Sequence, residues 1–323
     1  MRRAAPLLAL GALLAGSAPA VAPAAGRGAA LPARAMAVTV DDLPVVREDE
    51  GLDGARQTTD ALLGALSAHG AKAVAFVNES KLGEGPSRAA RVELLARWLS
   101  AGHLLGNHTA THPDLNVTPL DAYQRDVVEG ERTFRPLMEA WGRRELWFRH
   151  PMTHTGETAE VRGGLERFLA GRGYRVAPFS IENADYVFDA LRAAACRKGD
   201  VALAGRLLSA YLDQTLAATL FAEALSVELF GREVPHVLLL HANGLNAEAL
   251  PAILGGLASR GYRFVPLDEA LADPAWSTPD GYVGRSGPSW LHRFAVTLGA
   301  PSRMAEEPDP ARWVLDLWNA RRR

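Results

Sequence analysis

Short apolar runs alternate along this chain with longer stretches in which apolar residues recur at helical spacing. Runs such as 36–40, 73–77 and 237–240 are almost entirely apolar, as is typical of strands buried on both faces of a sheet. The longer stretches carry leucine and alanine every three or four residues, and several end at a glycine, as helices do. The alternation predicts a parallel α/β sheet covered by helices.

Seven strands and a series of helices are predicted in regular order. The strands are expected at 36–40, 73–77, 103–106, 146–148, 174–179, 237–240 and 262–265. The helices between them are expected at 55–69, 88–101, 120–141, 157–170 and 248–259. Residues 198–232 interrupt the rhythm, because they are rich in leucine and alanine and contain no strand pattern. They are interpreted as a helical insertion.

Both ends of the chain lie outside the alternating pattern. Residues 1–25 begin with two arginines and continue with a short apolar run and small residues, which is typical of a secretory signal peptide. Residues 26–35 are interpreted as a linker. The apolar run is shorter than the ~20 residues of a membrane span, so no transmembrane segment is expected after leader cleavage. The sequence therefore predicts export to the periplasm or beyond the cell.

Composition narrows the class of protein further. The 323 residues are 48% hydrophobic and 22% charged, as in globular domains, and the net charge of -2 gives no indication of a nucleic-acid partner. Cys196 is the only cysteine, so no disulfide can form within the chain. The main domain is expected at 36–272. Residues 273–323, which hold several tryptophans, are expected to pack on that domain as a C-terminal extension; a sugar-stacking surface is the alternative.

Chemically useful side chains follow four of the predicted strands. Asp41, His108, Arg149 and His241 each lie within two residues of the end of a predicted strand. The carboxyl ends of parallel strands meet on one face of a barrel or a doubly wound sheet, and active sites of such folds lie there. The sequence therefore predicts one site that contains all four residues.

Two histidines and an aspartate have the character of a metal site. A hydrolytic Zn²⁺ centre needs about three protein ligands and an open position, and Asp42, His108 and His112 can supply the three. Pro113 disfavours helical backbone at His112, so the histidine pair is expected on a turn. The same ligand types also occur in non-haem iron oxygenases, although the alternation of strands and helices and the adjacent Asp41 disfavour that class.

The residues around the predicted metal have the character of an acid–base pair. Successive side chains of a strand point in opposite directions, so Asp41 is not expected to bind the metal together with Asp42. Asp41 is instead interpreted as a general base that the Arg149 cation keeps ionised. His241, as an imidazolium, could protonate the leaving group.

These residues resemble the motifs of the polysaccharide deacetylases with a NodB homology domain, carbohydrate esterase family 4. Thr39-Val40-Asp41-Asp42 is similar to the family's Thr-Phe-Asp-Asp, which implies that Asp41 is the base and Asp42 a ligand. The segment from His108 to His112 is similar to its His-Ser/Thr-x-x-His metal motif. The resemblance implies a distorted (β/α) barrel of about seven strands. It also implies a divalent metal, with Zn²⁺ expected and Co²⁺ or Ni²⁺ as alternatives.

Three further motifs extend the resemblance to the rest of the site. Phe148-Arg149-His150-Pro151 resembles the family's Arg-Pro-Pro-Tyr, which implies that Arg149 orients Asp41. The sequence 184–186 resembles its Asp-Trp, which implies that Asp185 tethers Arg149. The run that ends at His241 resembles its Leu-x-Leu-His, which implies that His241 is the catalytic acid.

The substrate-facing positions depart from the family pattern. Leu43 stands in place of the usual glycine, His150 and Met152 in place of proline and tyrosine, and Tyr186 in place of tryptophan. The resemblance implies that Met152 supplies an oxyanion donor through its backbone N–H and that Tyr186 and Leu239 face the substrate.

The function implied by this family is the hydrolysis of N-acetyl or O-acetyl groups on a glycan such as chitooligosaccharide, peptidoglycan or xylan. A metal-bound water would be the nucleophile. Two alternatives remain open, because the substrate-facing residues are atypical. One is a catalytically inactive glycan-binding protein with the same fold, and the other is an amidase that acts on a small non-sugar substrate.

Overall fold

The computed structural model describes residues 34–321, in which seven strands form one parallel sheet. The strands are β1 Arg34–Leu43, β2 Val74–Val77, β3 Leu104–Asn107, β4 Trp147–Phe148, β5 Arg175–Val176, β6 His236–His241 and β7 Tyr262–Phe264. The sheet order is β5-β4-β3-β2-β1-β6, and β7 pairs with the beginning of β1. The predicted leader and most of the predicted linker lie outside the described residues.

Eleven α-helices accompany the strands in the described residues. They are α1 Gly51–Ala68, α2 Pro86–Ser100, α3 Leu120–Glu129, α4 Phe134–Ala140, α5 Ala159–Gly171, α6 Asp185–Arg197, α7 Val201–Phe230, α8 Gly244–Ser259, α9 Leu267–Ala270, α10 Trp290–Leu298 and α11 Arg312–Ala320. No helix within 34–321 has both the length and the apolar character that crossing a membrane requires.

The sheet curves into a half-barrel whose two ends approach each other. Beyond β5 the chain continues to Ile181, which forms an isolated parallel bridge with Leu238 in β6. The Leu239 N–H donates to the Ile181 carbonyl at 3.0 Å, and the Ser180 N–H donates to the Val237 carbonyl at 3.0 Å. This short contact joins the two ends of the sheet. The predicted distorted (β/α) barrel is confirmed.

β1 lies at the centre of this architecture. It pairs with β2 on one side and with β6 on the other, and its residues from Met36 to Leu43 are all buried. A strand in this position is covered on both faces, which explains its continuous apolar pattern. β1 begins at Arg34, two residues before the strand predicted at 36–40.

One predicted helix, 120–141, is wrong, because the structure divides it into α3 and α4. The break begins at Gly130, which packs directly against the loop that follows β3. A Cβ at Gly130 would lie 2.6 Å from Asn107 Oδ1 and 2.9 Å from the Thr109 carbonyl carbon. On the same helix the Asp126 carboxylate accepts hydrogen bonds from the backbone of Ala110 and Thr111. The end of α3 therefore supports the loop that carries the two histidines.

The predicted strand at 174–179 is also much shorter in the structure. Only Arg175 and Val176 pair with β4, because the chain then bends away toward its contact with β6. α7 fills most of the segment predicted as a helical insertion and packs against α6, α8 and α10. The domain boundaries themselves remain predictions.

The chain after residue 273 contacts the barrel through aromatic side chains. The Trp276 indole donates to the Pro235 carbonyl at 3.0 Å. Trp290 packs edge-on against Phe179, with ring centroids 5.5 Å apart. The Trp290 contact holds the start of α10 beside Phe179, whereas the Trp276 contact lies next to the start of β6.

Candidate active site

Asp42, His108 and His112 come together at the carboxyl ends of β1 and β3. The Nε2 atoms of both histidines lie 3.9 Å from Asp42 Oδ1, and the three ligand atoms lie within 4.8 Å of one another. Ligands of a tetrahedral metal with bonds of about 2.1 Å lie about 3.4 Å apart. The three atoms, two imidazole nitrogens and one carboxylate oxygen, therefore fit a divalent cation.

The histidines lie on an irregular turn, which left-handed backbone at Thr109 and His112 produces. His108 Nδ1 donates to the Arg149 carbonyl at 2.8 Å, so its Nε2 is left to face Asp42. Burial lowers the pKa of both His108 and His112, which keeps the imidazoles in the neutral form that binds metals.

A cation already accompanies the aspartate of this set. The Lys81 ammonium lies 3.0 Å from Asp42 Oδ1, the oxygen that faces both imidazoles. Burial alone would raise the pKa of Asp42, but Lys81 and His108 outweigh it and hold that pKa below its ordinary value. The carboxylate is therefore ionised and available as a ligand.

Asp41 and Asp42 face the same side of the site, so the simple alternation expected for a strand does not apply. Asp42 has a φ of 72°, and the register between β1 and β2 shifts between Val40 and Leu43. Asp41 Oδ2 lies 3.8 Å from His108 Nε2, close to the 3.9 Å of Asp42 Oδ1. The bulge brings both carboxylates to the histidines, and their other neighbours distinguish them.

Arg149 is the neighbour that distinguishes Asp41. Its Nε lies 3.9 Å from Asp41 Oδ1, and its Nη2 donates to Thr39 Oγ1 at 2.8 Å. The guanidinium is 1% exposed, and the rings of Phe76 and Phe179 lie on it at 5.2 and 5.7 Å. Burial raises the pKa of Asp41 to about 6, although Arg149 acts in the opposite direction.

The predicted tether between Asp185 and Arg149 is wrong, because Asp185 binds His241 instead. Its Oδ1 accepts from His241 Nδ1 at 2.7 Å, and its Oδ2 accepts from the His241 N–H at 2.9 Å and from the Asn246 side chain. The first residue of α6 thus holds the last residue of β6, and His241 Nε2 remains available for proton transfer. Thr39 takes the place that Asp185 was expected to occupy beside Arg149.

The contact with Asp185 sets the protonation of His241. Burial would lower the pKa of His241, but the Asp185 carboxylate outweighs it and raises that pKa to about 10. Burial would likewise raise the pKa of Asp185, but His241 holds it below its ordinary value. His241 is therefore an imidazolium near neutral pH, and Asp185 is its fixed counter-ion.

These groups line one cavity of about 740 Å³. Its walls include all three positions predicted to face the substrate, Met152, Tyr186 and Leu239. They also include His150, which the sequence analysis placed among the substrate-facing positions. Further wall residues were not identified from the sequence: His154, Glu182, Gly287, Pro288, Ser289 and Glu307. His154 pairs with Asp114 at 2.8 Å, and its position after the Arg149 motif was the one available signal for it.

Residues 28–162 match the family model described as polysaccharide deacetylase. The predicted resemblance to the polysaccharide deacetylases is confirmed. The matched range includes Asp41, Arg149 and the three predicted metal ligands. Asp185 and His241 lie beyond it. No curated protein matches the sequence.

Two solved structures with this fold are similar to the chain. The polysaccharide deacetylase Bc1974 from Bacillus cereus has 21% identity, with 72% of this chain and 91% of that chain covered and a TM-score of 0.51. A mutant of BA3943, described as a pseudoenzyme of carbohydrate esterase family 4, has 16% identity, with 74% and 68% covered and a TM-score of 0.50. At these identities the likeness shows the polysaccharide deacetylase fold alone.

Proposed function

We propose that this protein is a divalent-metal-dependent deacetylase that hydrolyses N-acetyl or O-acetyl groups on a glycan such as chitooligosaccharide, peptidoglycan or xylan. One observation carries the proposal: a three-ligand metal set, the Asp41–Arg149 pair and the Asp185–His241 pair converge on a single cavity. The pattern of residues 1–25 supports export as part of the same proposal.

Asp42, His108 and His112 would hold the metal. A bound Zn²⁺, Co²⁺ or Ni²⁺ supplies Lewis-acid polarisation of an acyl carbonyl and lowers the pKa of water. The remaining groups of the chain have separate tasks. Asp41 accepts a proton from the attacking water, because it is the carboxylate that faces the histidines without the close Lys81 cation. Its pKa of about 6 leaves it ionised at neutral pH, as a base must be.

His241 completes the reaction as the proton donor. Its Nε2 proton passes to the leaving nitrogen or oxygen, while Asp185 holds Nδ1 and stabilises the imidazolium before transfer. The Met152 N–H belongs to a tight turn of left-handed backbone at the wall of the cavity. It is therefore suited to donate to the acyl oxygen as negative charge develops there.

The deciding experiment measures acetate release across a panel of N-acetylated and O-acetylated glycans. We expect turnover of at least one glycan, its loss after treatment with a chelator, and its recovery on addition of Zn²⁺ or Co²⁺. The chelated protein with no added metal is the control. Turnover that survives complete removal of metal would show that the ligand set has no part in the reaction.

An inactive glycan-binding protein is a second candidate, favoured by the Lys81 ammonium. It already neutralises the metal-facing oxygen of Asp42, so a stable site can exist without a metal. The similar structure of BA3943 is described as a pseudoenzyme. Glycan binding without acetate release, at saturating Zn²⁺ and Co²⁺, would favour this candidate.

An amidase for a small non-sugar substrate is a third candidate. The chain after residue 273 supplies part of the cavity wall, through Gly287, Pro288, Ser289 and Glu307. Turnover of small N-acetylated amines with no turnover of any glycan in the panel would favour it.

A further inference from the structure

Residues 287–289 form part of the cavity wall, next to the turn that carries the Met152 N–H. Gly287, Pro288 and Ser289 line the cavity together with Met152 and Thr153. These three residues lie well beyond the range 28–162 that matches the family model.

Met152 and Thr153 have an unfavourable backbone conformation. Their φ values are 52° and 55°, in the left-handed region that non-glycine residues rarely adopt. Two hydrogen bonds close the turn internally, from the Thr153 N–H to the His150 carbonyl and from the His154 N–H to the Pro151 carbonyl. Consecutive left-handed residues persist only where the surrounding structure holds them.

Arg293 in α10 supplies that support. Its side chain is completely buried, and Nη2 donates to the Thr153 carbonyl at 3.0 Å while Nη1 donates to Thr155 Oγ1 at 2.8 Å. Its Nε donates to the Pro288 carbonyl at 2.9 Å. Asp280 balances its charge at 3.1 Å. One planar guanidinium therefore fixes the turn and the cavity wall relative to each other.

A second contact, between uncharged groups, joins the turn at Met152–Thr153 to the cavity wall at Gly287–Ser289. The Thr153 hydroxyl donates to the Gly287 carbonyl at 2.7 Å. A Cβ at Gly287 would overlap Thr153 Oγ1 and would lie 2.5 Å from the Met152 carbonyl oxygen. The two backbones approach so closely that no side chain fits between them.

We propose that Arg293 is a positioning residue that holds the Met152 N–H in place for the acyl oxygen. The segment 280–293 then contributes to catalysis by supporting the turn that carries this N–H. This inference rests on the proposed function, because the role of the Met152 N–H belongs to that proposal. An oxyanion donor must be placed accurately, and a displacement of about 1 Å can reduce turnover roughly 100-fold.

The test uses Arg293→Lys, which keeps the charge but loses the fork of donors, and Gly287→Ala, which separates the loop from the turn. Arg303→Lys and Gly205→Ala are the matched controls. Arg303 pairs with Glu228 and Glu306, and a Cβ at Gly205 meets no atom within 4 Å. Each full-length variant is studied by hydrogen exchange of residues 150–155. Its kcat is measured with an N-acetylated chitooligosaccharide and with its N-trifluoroacetyl analogue in added Zn²⁺.

We expect faster exchange at 150–155 in both test variants and in neither control. We also expect kcat for the acetyl substrate to fall at least ~10-fold more than kcat for the trifluoroacetyl analogue, which needs less oxyanion stabilisation. This ratio is independent of the folded fraction, so a loss of stability cannot imitate the result.

Unchanged exchange in Arg293→Lys and Gly287→Ala would overturn the proposal, whether or not the protein is active. Faster exchange with an equal loss for both substrates would overturn the catalytic role of Arg293. If the wild-type protein releases neither acetate nor trifluoroacetate, the proposed function fails for this substrate. The hydrogen-exchange result alone then decides whether Arg293 holds the turn at 150–155.

Discussion

Asp41 and Asp185 are both buried aspartates beside the same cavity, yet their partners give them opposite character. Asp41 has an arginine nitrogen at 3.9 Å and an Oδ1 that accepts no hydrogen bond in the described chain, and burial raises its pKa to about 6. Asp185 bonds to the His241 ring at 2.7 Å and to its backbone at 2.9 Å, and its pKa is lowered. A loosely partnered carboxylate can exchange protons, whereas a tightly partnered one holds its neighbour's proton in place.

The largest effect is expected for Asp41→Asn, which removes the loosely partnered carboxylate. The amide cannot accept a proton from water, so kcat should fall by about 10²–10⁴-fold. The measurement is acetate release at saturating Zn²⁺. The metal content of the variant is compared with that of the wild type as a control, and the two must be equal. Full activity at equal metal content would show that Asp41 is not the base.

Asp185→Asn tests the tightly partnered carboxylate through the pH profile. His241 must carry a proton in order to donate it, so activity is present below its pKa of about 10 and is lost as pH rises through that value. Without the Asp185 charge the pKa of His241 falls, and the alkaline limb of kcat/KM moves to lower pH.

The control for this profile is Asp189→Asn, also on α6, whose carboxylate bonds to the Leu245 N–H and not to His241. Its alkaline limb should coincide with that of the wild type. An unmoved limb in Asp185→Asn would mean that another group donates the proton.

Asp42 extends the comparison, because its close partner is a lysine. In Lys81→Met the positive charge 3.0 Å from the metal-facing oxygen is removed. We expect Zn²⁺ to bind on the order of 10-fold more tightly, since the repulsion of a unit charge in this environment is worth about 1.4 kcal/mol or more. Titration calorimetry measures the affinity. Lys72→Met, at an exposed lysine that bonds to the Ala101 carbonyl, should leave it unchanged.

The last prediction concerns stability and uses Thr39→Val, which removes the hydrogen bond between the Thr39 hydroxyl and Arg149. The Thr39 hydroxyl accepts from Arg149 and donates to the Leu238 carbonyl, so its loss leaves buried groups without partners. The free energy of unfolding should fall by about 1–3 kcal/mol, measured by urea denaturation. Thr59→Val is a matched control, because the buried Thr59 hydroxyl has no hydrogen-bond partner in the described chain. Equal losses in the two variants would argue against the support of Arg149.

Sequence patterns predicted the parts of this site that depend on periodicity. Apolar runs located the strands, and the rule that parallel strands end on one face placed Asp41, His108, Arg149 and His241 together. Motif resemblance assigned Asp185 the wrong partner, because the packing of α6 on β6 determines which group its carboxylate reaches. The break at Gly130 depends on a close approach to the loop after β3, which no pattern within the helix reveals.

The cavity wall from the end of the chain had no sequence signal at all. Gly287 lies in a loop between prolines and glycines, and Arg293 lies within a helix. The significance of both arises from contacts with Thr153 more than 130 residues away. The bulge at Asp42 was hidden for a similar reason. Its left-handed backbone reverses the direction that strict alternation assigns to the side chain.

The central position of β1 has a consequence for the order in which the molecule can form. The first strand of the described chain needs the penultimate one as a neighbour, and Thr39 bonds to a carbonyl 199 residues later. A nascent chain that has not yet released β6 lacks both His241, the proposed acid, and one neighbour of the strand that carries Asp41 and Asp42. Contacts of such long range also slow folding. The site residues on β1 can therefore take their places only after β6 has been synthesised.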